Sequence, residues 1–182
     1  VRSPYAVRTR SQDQEEPVAE QQRETSGDEG ALMTRIGQAI ILHRGGDREE
    51  ARNRFARLWE EAGEDEAALF HRCTIAHYMA DTQDHPADEL EWDRRALAAA
   101  DALSGERVAW GRHELAVRAL YPSLHLNLAA DHVKLHDTRA ARRELLLARG
   151  TAAELAHDDY GQGIRAAIDR LELRLAGMDQ RP

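Results

Sequence analysis

The sequence predicts an all-α protein, a short array of antiparallel helix hairpins with a C-terminal capping helix. Three observations predict it. Val, Ile and Thr supply only 19 of the 182 residues, while Ala, Leu, Glu and Arg dominate; the latter lose little rotamer entropy in a helix, and the former are what sheets favour. Apolar residues recur at three- and four-residue steps through most of the chain. Gly, Pro and Asp interrupt these stretches where helices stop and start.

Residues 1–28 are rich in Gln, Glu and Arg, carry Pro4 and Pro17, and lack a sustained apolar period. They are expected to form a disordered tail ahead of a folded domain at 29–182. Leu32, Ile36, Ala39, Ile40 and His43 mark the first helix, stopped by Gly45-Gly46. Asp47 caps a second helix whose stripe is Ala51, Phe55, Leu58 and Ala62, and Gly63 ends it. A third helix is expected from Glu64 to Asp81 through Leu69, Ile75, Ala76, Met79 and Ala80.

Pro86 suits the first turn of a fourth helix, striped by Trp92, Ala96, Ala99 and Leu103, widened by Leu90 and Leu97, and closed by Ser104-Gly105. Residues 106–120 read as a further amphipathic segment through Val108, Leu115 and Ala119; Tyr121-Pro122 either kinks it or separates it from a helix at 123–135. Beyond His136-Asp137 a long helix carries Ala141, Leu145, Ala148, Ala152 and Leu155. The last begins at Asp158 or Asp159 and places Tyr160, Ile164, Ile168, Leu171 and Leu175 on one face.

The net charge of −8 argues against nonspecific wrapping of nucleic acid, which depends on Lys and Arg neutralising phosphates. No apolar run approaches the roughly 20 residues of a membrane span, and the opening VRSPYAVRTR has no secretory apolar stretch, so a cytoplasmic protein is expected. Cys73 is the only cysteine, which excludes an intrachain disulfide and a Cys-based zinc knuckle. Of the basic residues only Lys134 is lysine, a bias read first as base composition of the genome.

A shift of 90 residues places Ala39 on Ala129, Asp47 on Asp137, Ala51 on Ala141, Arg52 on Arg142 and Phe55 on Leu145. The conserved feature is size. A small residue in the first helix, a small one about twelve later and a large one four further on are what a closely packed helix pair requires. In this order the sequence resembles the tetratricopeptide repeat, a helix-turn-helix of about 34 residues. The best match is Leu128-Ala129, His132, Ala141, Leu145 and Ala148; a second is Ala39, Leu42, Gly46, Ala51 and Phe55; a poorer third is Ile75-Ala76, Met79, Trp92 and Ala96. YPSLHLNLA, at 121–129, is similar to divergent members from actinobacteria.

The resemblance implies a right-handed α-solenoid over about residues 30–176, whose first helices line a concave groove for a peptide, a partner helix or a second copy. The groove positions it implies are Ile36, Ile40, His43 and Arg44 from the first repeat, Cys73, His77, Ala80 and Asp81 from the second, and Leu126, Ala130, Val133 and Lys134 from the third. The carboxylate-gripping set of chaperone-binding members is absent apart from Asn127 and Lys134, so chaperone docking is not carried over.

No catalytic signature emerges. His132 and His136 have a spacing that can place two imidazoles on one ion, but no motif supplies a third ligand; a packed His132 and an exposed loop His136 are the plainer expectation. Cys73 reads as a small buried hydrophobe, and Gly161-Gln162-Gly163 lacks the strand and third glycine of a dinucleotide loop. Trp92 and Trp110 read as core, Trp59 as partly exposed. The expected function is therefore a noncatalytic scaffold without cofactor, binding protein or peptide and neither nucleic acid nor membrane. Two alternatives stand beside it: a small helical metalloenzyme using the histidines, and a regulatory fragment acting with a DNA-binding or catalytic partner.

Overall fold

The computed structural model describes residues 15–105 and 114–179. Within them lie seven α-helices and no strand: α1 (Glu15–Arg44), α2 (Arg48–Ala62), α3 (Leu69–Ala80), α4 (Pro86–Gly105), α5 (Glu114–Lys134), α6 (Thr138–Ala152) and α7 (Asp159–Asp179). Residues 1–14 of the expected tail, and Val108 and Trp110, lie outside the described residues.

Four boundaries differ from the sequence reading. Helical backbone is already present at Glu15, the first described residue, ahead of the boundary drawn at Asp28; Glu, Gln, Ala and Arg favour the helix by propensity, without the apolar period that reveals a packed one. A 3-10 turn at Glu66–Ala68 precedes α3, with Asp65 Oδ1 accepting from the Ala68 N–H at 2.9 Å. α5 runs unbroken through Pro122. Proline removes the N–H that a helix would direct to Arg118 O, and the next two carbonyls accept hydroxyl donors as well: Ser123 Oγ donates to Leu120 O at 2.8 Å and Tyr160 Oη to Ala119 O at 3.0 Å. α6 ends at Ala152, leaving Leu155 partly buried in the connection to α7.

Each helix packs on the next, and α1 also meets α3 as α5 meets α7. The core accordingly forms three successive clusters. Leu32, Ile36, Ala39, Ala51, Phe55, Leu58, Ile75 and Met79 join α1, α2 and α3. Cys73, Ala76, Ala96, Ala99, Ala100 and Leu124 join α3, α4 and α5. Ala129, Val133, Ala141, Leu145, Ala148, Ile168 and Leu175 join α5, α6 and α7. The abundant fully buried alanines let helix backbones approach closely, so large side chains are needed only at intervals.

The 90-residue relation reappears as geometry. In the α1–α2 turn the Asp47 N–H donates to Leu42 O at 3.1 Å, and in the α5–α6 turn the Asp137 N–H donates to His132 O at 2.9 Å. Asp47 and Asp137 then cap α2 and α6 by accepting from the N–H groups of Glu50 and Ala140. Both turns use the left-handed region, at Gly46 (φ 92°) and at His136 (φ 61°). Glycine adopts that conformation without a Cβ penalty, whereas an imidazole-bearing residue pays about 1 kcal/mol. His136→Gly is therefore expected to raise unfolding free energy by about 0.5–1 kcal/mol in urea denaturation.

Arginines serve the helix ends. Arg48 and Arg52 of α2 both donate to Thr82 O just beyond α3, Arg48 also to Gln83 O, and each pairs with Asp84. Arg165 of α7 donates to the carbonyls of Ala152, Leu155 and Ala156 after α6. A planar fork with several donors suits carbonyls that have lost their helical partners. Gly161 completes that connection: a Cβ there would stand 2.1 Å from Ala156 O.

Candidate functional site

The groove positions implied by the repeat divide into two sets. Ile36, Cys73, Ala80 and Val133 are at most 2% exposed and pack the layers. Burial, with repulsion from Asp101 adding, pushes the Cys73 thiol up to about 12, so it stays protonated. Ile40 packs partly buried on the first cluster, and Leu126 and Ala130 do so on the third. His43 and His77 are half-buried, while Arg44, Asp81 and Lys134 are exposed. Arg44 reaches the Tyr78 hydroxyl at 3.5 Å.

Around His77 and Lys134 the fold assembles a polar cluster that the groove positions only partly mark. Asp93 of α4 and Asp131 of α5 are each 1% exposed. His77 Nδ1 stands 3.8 Å from Asp93 Oδ1, and Asn127 Nδ2 lies 3.5 Å from both. Lys134 Nζ donates to Glu89 Oε1 and, at 3.2 Å, to Asp131 Oδ1. The Oδ2 atoms of Asp93 and Asp131 have no hydrogen-bond partner and no contact with solvent.

Electrostatics follows from the crowding of carboxylates. Asp131 is pushed up to about 8, first by burial, then by the charges of Asp93 and Glu89; Lys134 opposes this. Burial alone would lower the Lys134 ammonium, but its bonds with Glu89 and Asp131 hold it above the ordinary value. Asn127 and Lys134, the two residues shared with carboxylate-gripping repeats, are thus engaged with acids of the protein itself.

Other sequence candidates are placed apart. His136 sits exposed in the α5–α6 turn and His132 is half-buried behind it. Among the described residues no three His, Cys, Asp or Glu side chains are placed to hold a metal ion. Trp59 and Trp92 meet edge to face at 5.0 Å, and the guanidinium of Arg72 covers Trp59 at 3.7 Å. His125 pairs with Glu144 of α6 at 2.9 Å.

Neither Asp93 nor Asp131 is among the site residues expected from the sequence. Periodicity carries the signal: Asp131 continues the stripe Leu124–Leu128 of α5, and Asp93 stands between Leu90 and Ala100 on a buried face of α4. A charge on an apolar stripe is the observation to act on.

No helix among the described residues is long and apolar enough to cross a membrane. No family model matches the chain, and neither a curated protein nor a solved structure matches it.

Proposed function

We propose that the protein is a noncatalytic interaction module, a short right-handed solenoid of tetratricopeptide-like hairpins that takes a protein segment along the side formed by α1, α3 and α5. The observation that carries this reading is the division of the core into three successive clusters, with matching turns 90 residues apart at Gly46-Asp47 and His136-Asp137. Repeat arrays of this kind bury a continuous core between neighbours and present extended surfaces.

Ile40, Leu126 and Ala130 supply apolar contact, and Arg44, Asp81, His77 and Lys134 set orientation, as when an amphipathic segment lies in a helical groove. The noncatalytic part is supported by the groups best suited to chemistry. The unpartnered carboxylate oxygens are closed to solvent, and the lone thiol is buried and protonated.

The test is capture from lysate by the full chain, comparing wild type with the double charge reversal Arg44→Glu and Asp81→Arg, both at exposed positions. A partner retained by wild type and lost, by roughly tenfold or more, from a variant of unchanged helicity is the expected outcome. Equal retention by both removes the groove from the account.

A further inference from the structure

Asp93 and Asp131 lie on the faces of α4 and α5 that meet: Asn127, one turn before Asp131, is 3.5 Å from Asp93 Oδ1, and Glu89, one turn before Asp93, shares Lys134 with Asp131; each aspartate keeps one oxygen without a partner and sealed from water. Two ionised carboxylates in that setting would carry a large uncompensated cost. Something must offset it. The cation already present, Lys134, is committed to Glu89 and to the other oxygen of Asp131, and His77 approaches the other oxygen of Asp93. A metal ion finds no third ligand among the described residues. A partner's side chain has no path to atoms closed to solvent unless the helices part. A proton can be held by the two carboxyls themselves and needs only transient opening to exchange with water.

We infer that Asp93 and Asp131 share one proton that latches α4 to α5, and that its release is a pH-sensitive device loosening the junction between the α3–α4 and α5–α6 pairs. In the latched form an O–H on one carboxyl donates to an oxygen of the other and the pair carries one negative charge. On release the proton passes to water and both carboxylates are ionised, one on each helix. The charged groups around the pair are His77 and Asp81 from α3, Glu89 from α4, Lys134 from α5 and, beyond Asp81, His43 from α1. On α6, Glu144 pairs with His125 of α5 at 2.9 Å. Lys134 alone faces Glu89 and Asp131 together, so it does not neutralise a second charge on the pair.

The junction contains its own reporter. Cys73 is the only cysteine and lies fully buried in the cluster that joins α3, α4 and α5. In the full chain, its rate of reaction with an aromatic disulfide reagent is measured for wild type, Asp131→Asn and Asp93→Asn at pH 6 and pH 9. Comparison at a single pH cancels the ionisation of the thiol itself. Asn keeps the shape of the protonated acid, so all three proteins are expected to react alike at pH 6. At pH 9 wild type is expected to react about tenfold faster than either variant. A ratio unchanged between the two pH values overturns the latch, as does faster reaction of both variants at every pH. Should Asp131→Asn alone be loosened at both pH values, Asp93→Asn decides, because it keeps the Lys134 partner intact.

Discussion

Phe55→Ala is expected to lower unfolding free energy by about 3–5 kcal/mol, the largest effect of any single substitution considered for this chain. Phe55 is fully buried at the centre of the first cluster, where it meets residues of α1, α2 and α3 and lies parallel to Tyr78 at a ring separation of 6.2 Å. Truncation removes the transfer energy of the ring and leaves a cavity that small neighbours such as Ala39 and Ala51 do not refill. Because the core is a series of clusters, the loss is expected to be local. Urea unfolding of the variant in a Trp110→Phe background, followed by Trp59 and Trp92 fluorescence and by circular dichroism, should show the fluorescence change ahead of the loss of helix, since Phe55 belongs to a different cluster from Leu145 and Ile168. Coincident transitions would show that the clusters unfold as one.

Asp131→Asn is expected to stabilise the protein at pH 8, by about 2 kcal/mol, against the usual rule that removing a buried charged group destabilises. The sign follows from the direction of the shift. Folding raises the Asp131 carboxyl to about 8, whereas the unfolded chain titrates near 3.9. Between these values the folded state holds a proton that the unfolded state has lost. This group's contribution is therefore whole below about pH 4, declines as pH rises, and is gone above about pH 8. Asn imitates the protonated acid and has nothing to lose. Denaturation between pH 5 and 9 should show a wild-type profile that falls toward alkaline pH and a flatter variant profile that crosses above it.

The turns and caps were the most legible parts of the chain. Gly45-Gly46-Asp47, His136-Asp137 and Pro86 are local signals, each with its own backbone chemistry, and the helices stop or start there. The limits of α1 and α3 were not legible, because one extends through a stretch that lacks an apolar period in sequence and the other is preceded by a 3-10 turn that shares its composition. Pro122 shows the same limit. A proline in isolation signals a break, and only the fold shows α5 continuing through it.

The candidate site was legible by halves. His77, Asp81 and Lys134 are positions the repeat resemblance implies, whereas the acids that engage His77 and Lys134 come from α4 and from the buried face of α5. The α4–α5 register that brings Asp93 to Asp131 is a tertiary fact. Ile36, Cys73, Ala80 and Val133 show the converse, since a repeat position toward the groove does not reveal whether neighbouring helices close over it. The arginine bias likewise acquires a structural use in the helix-end carbonyls held by Arg48, Arg52 and Arg165.

The central claim, recognition of a protein segment along the α1, α3 and α5 side, is tested most directly by the position of cross-links in the capture experiment. A photo-activatable residue is placed in the full chain at position 40 or 81, and in a control at position 57, exposed on α2. Irradiation is expected to join the captured partner to positions 40 and 81 and to leave position 57 unlinked. A partner joined at position 57 and at neither of the others would contradict the account.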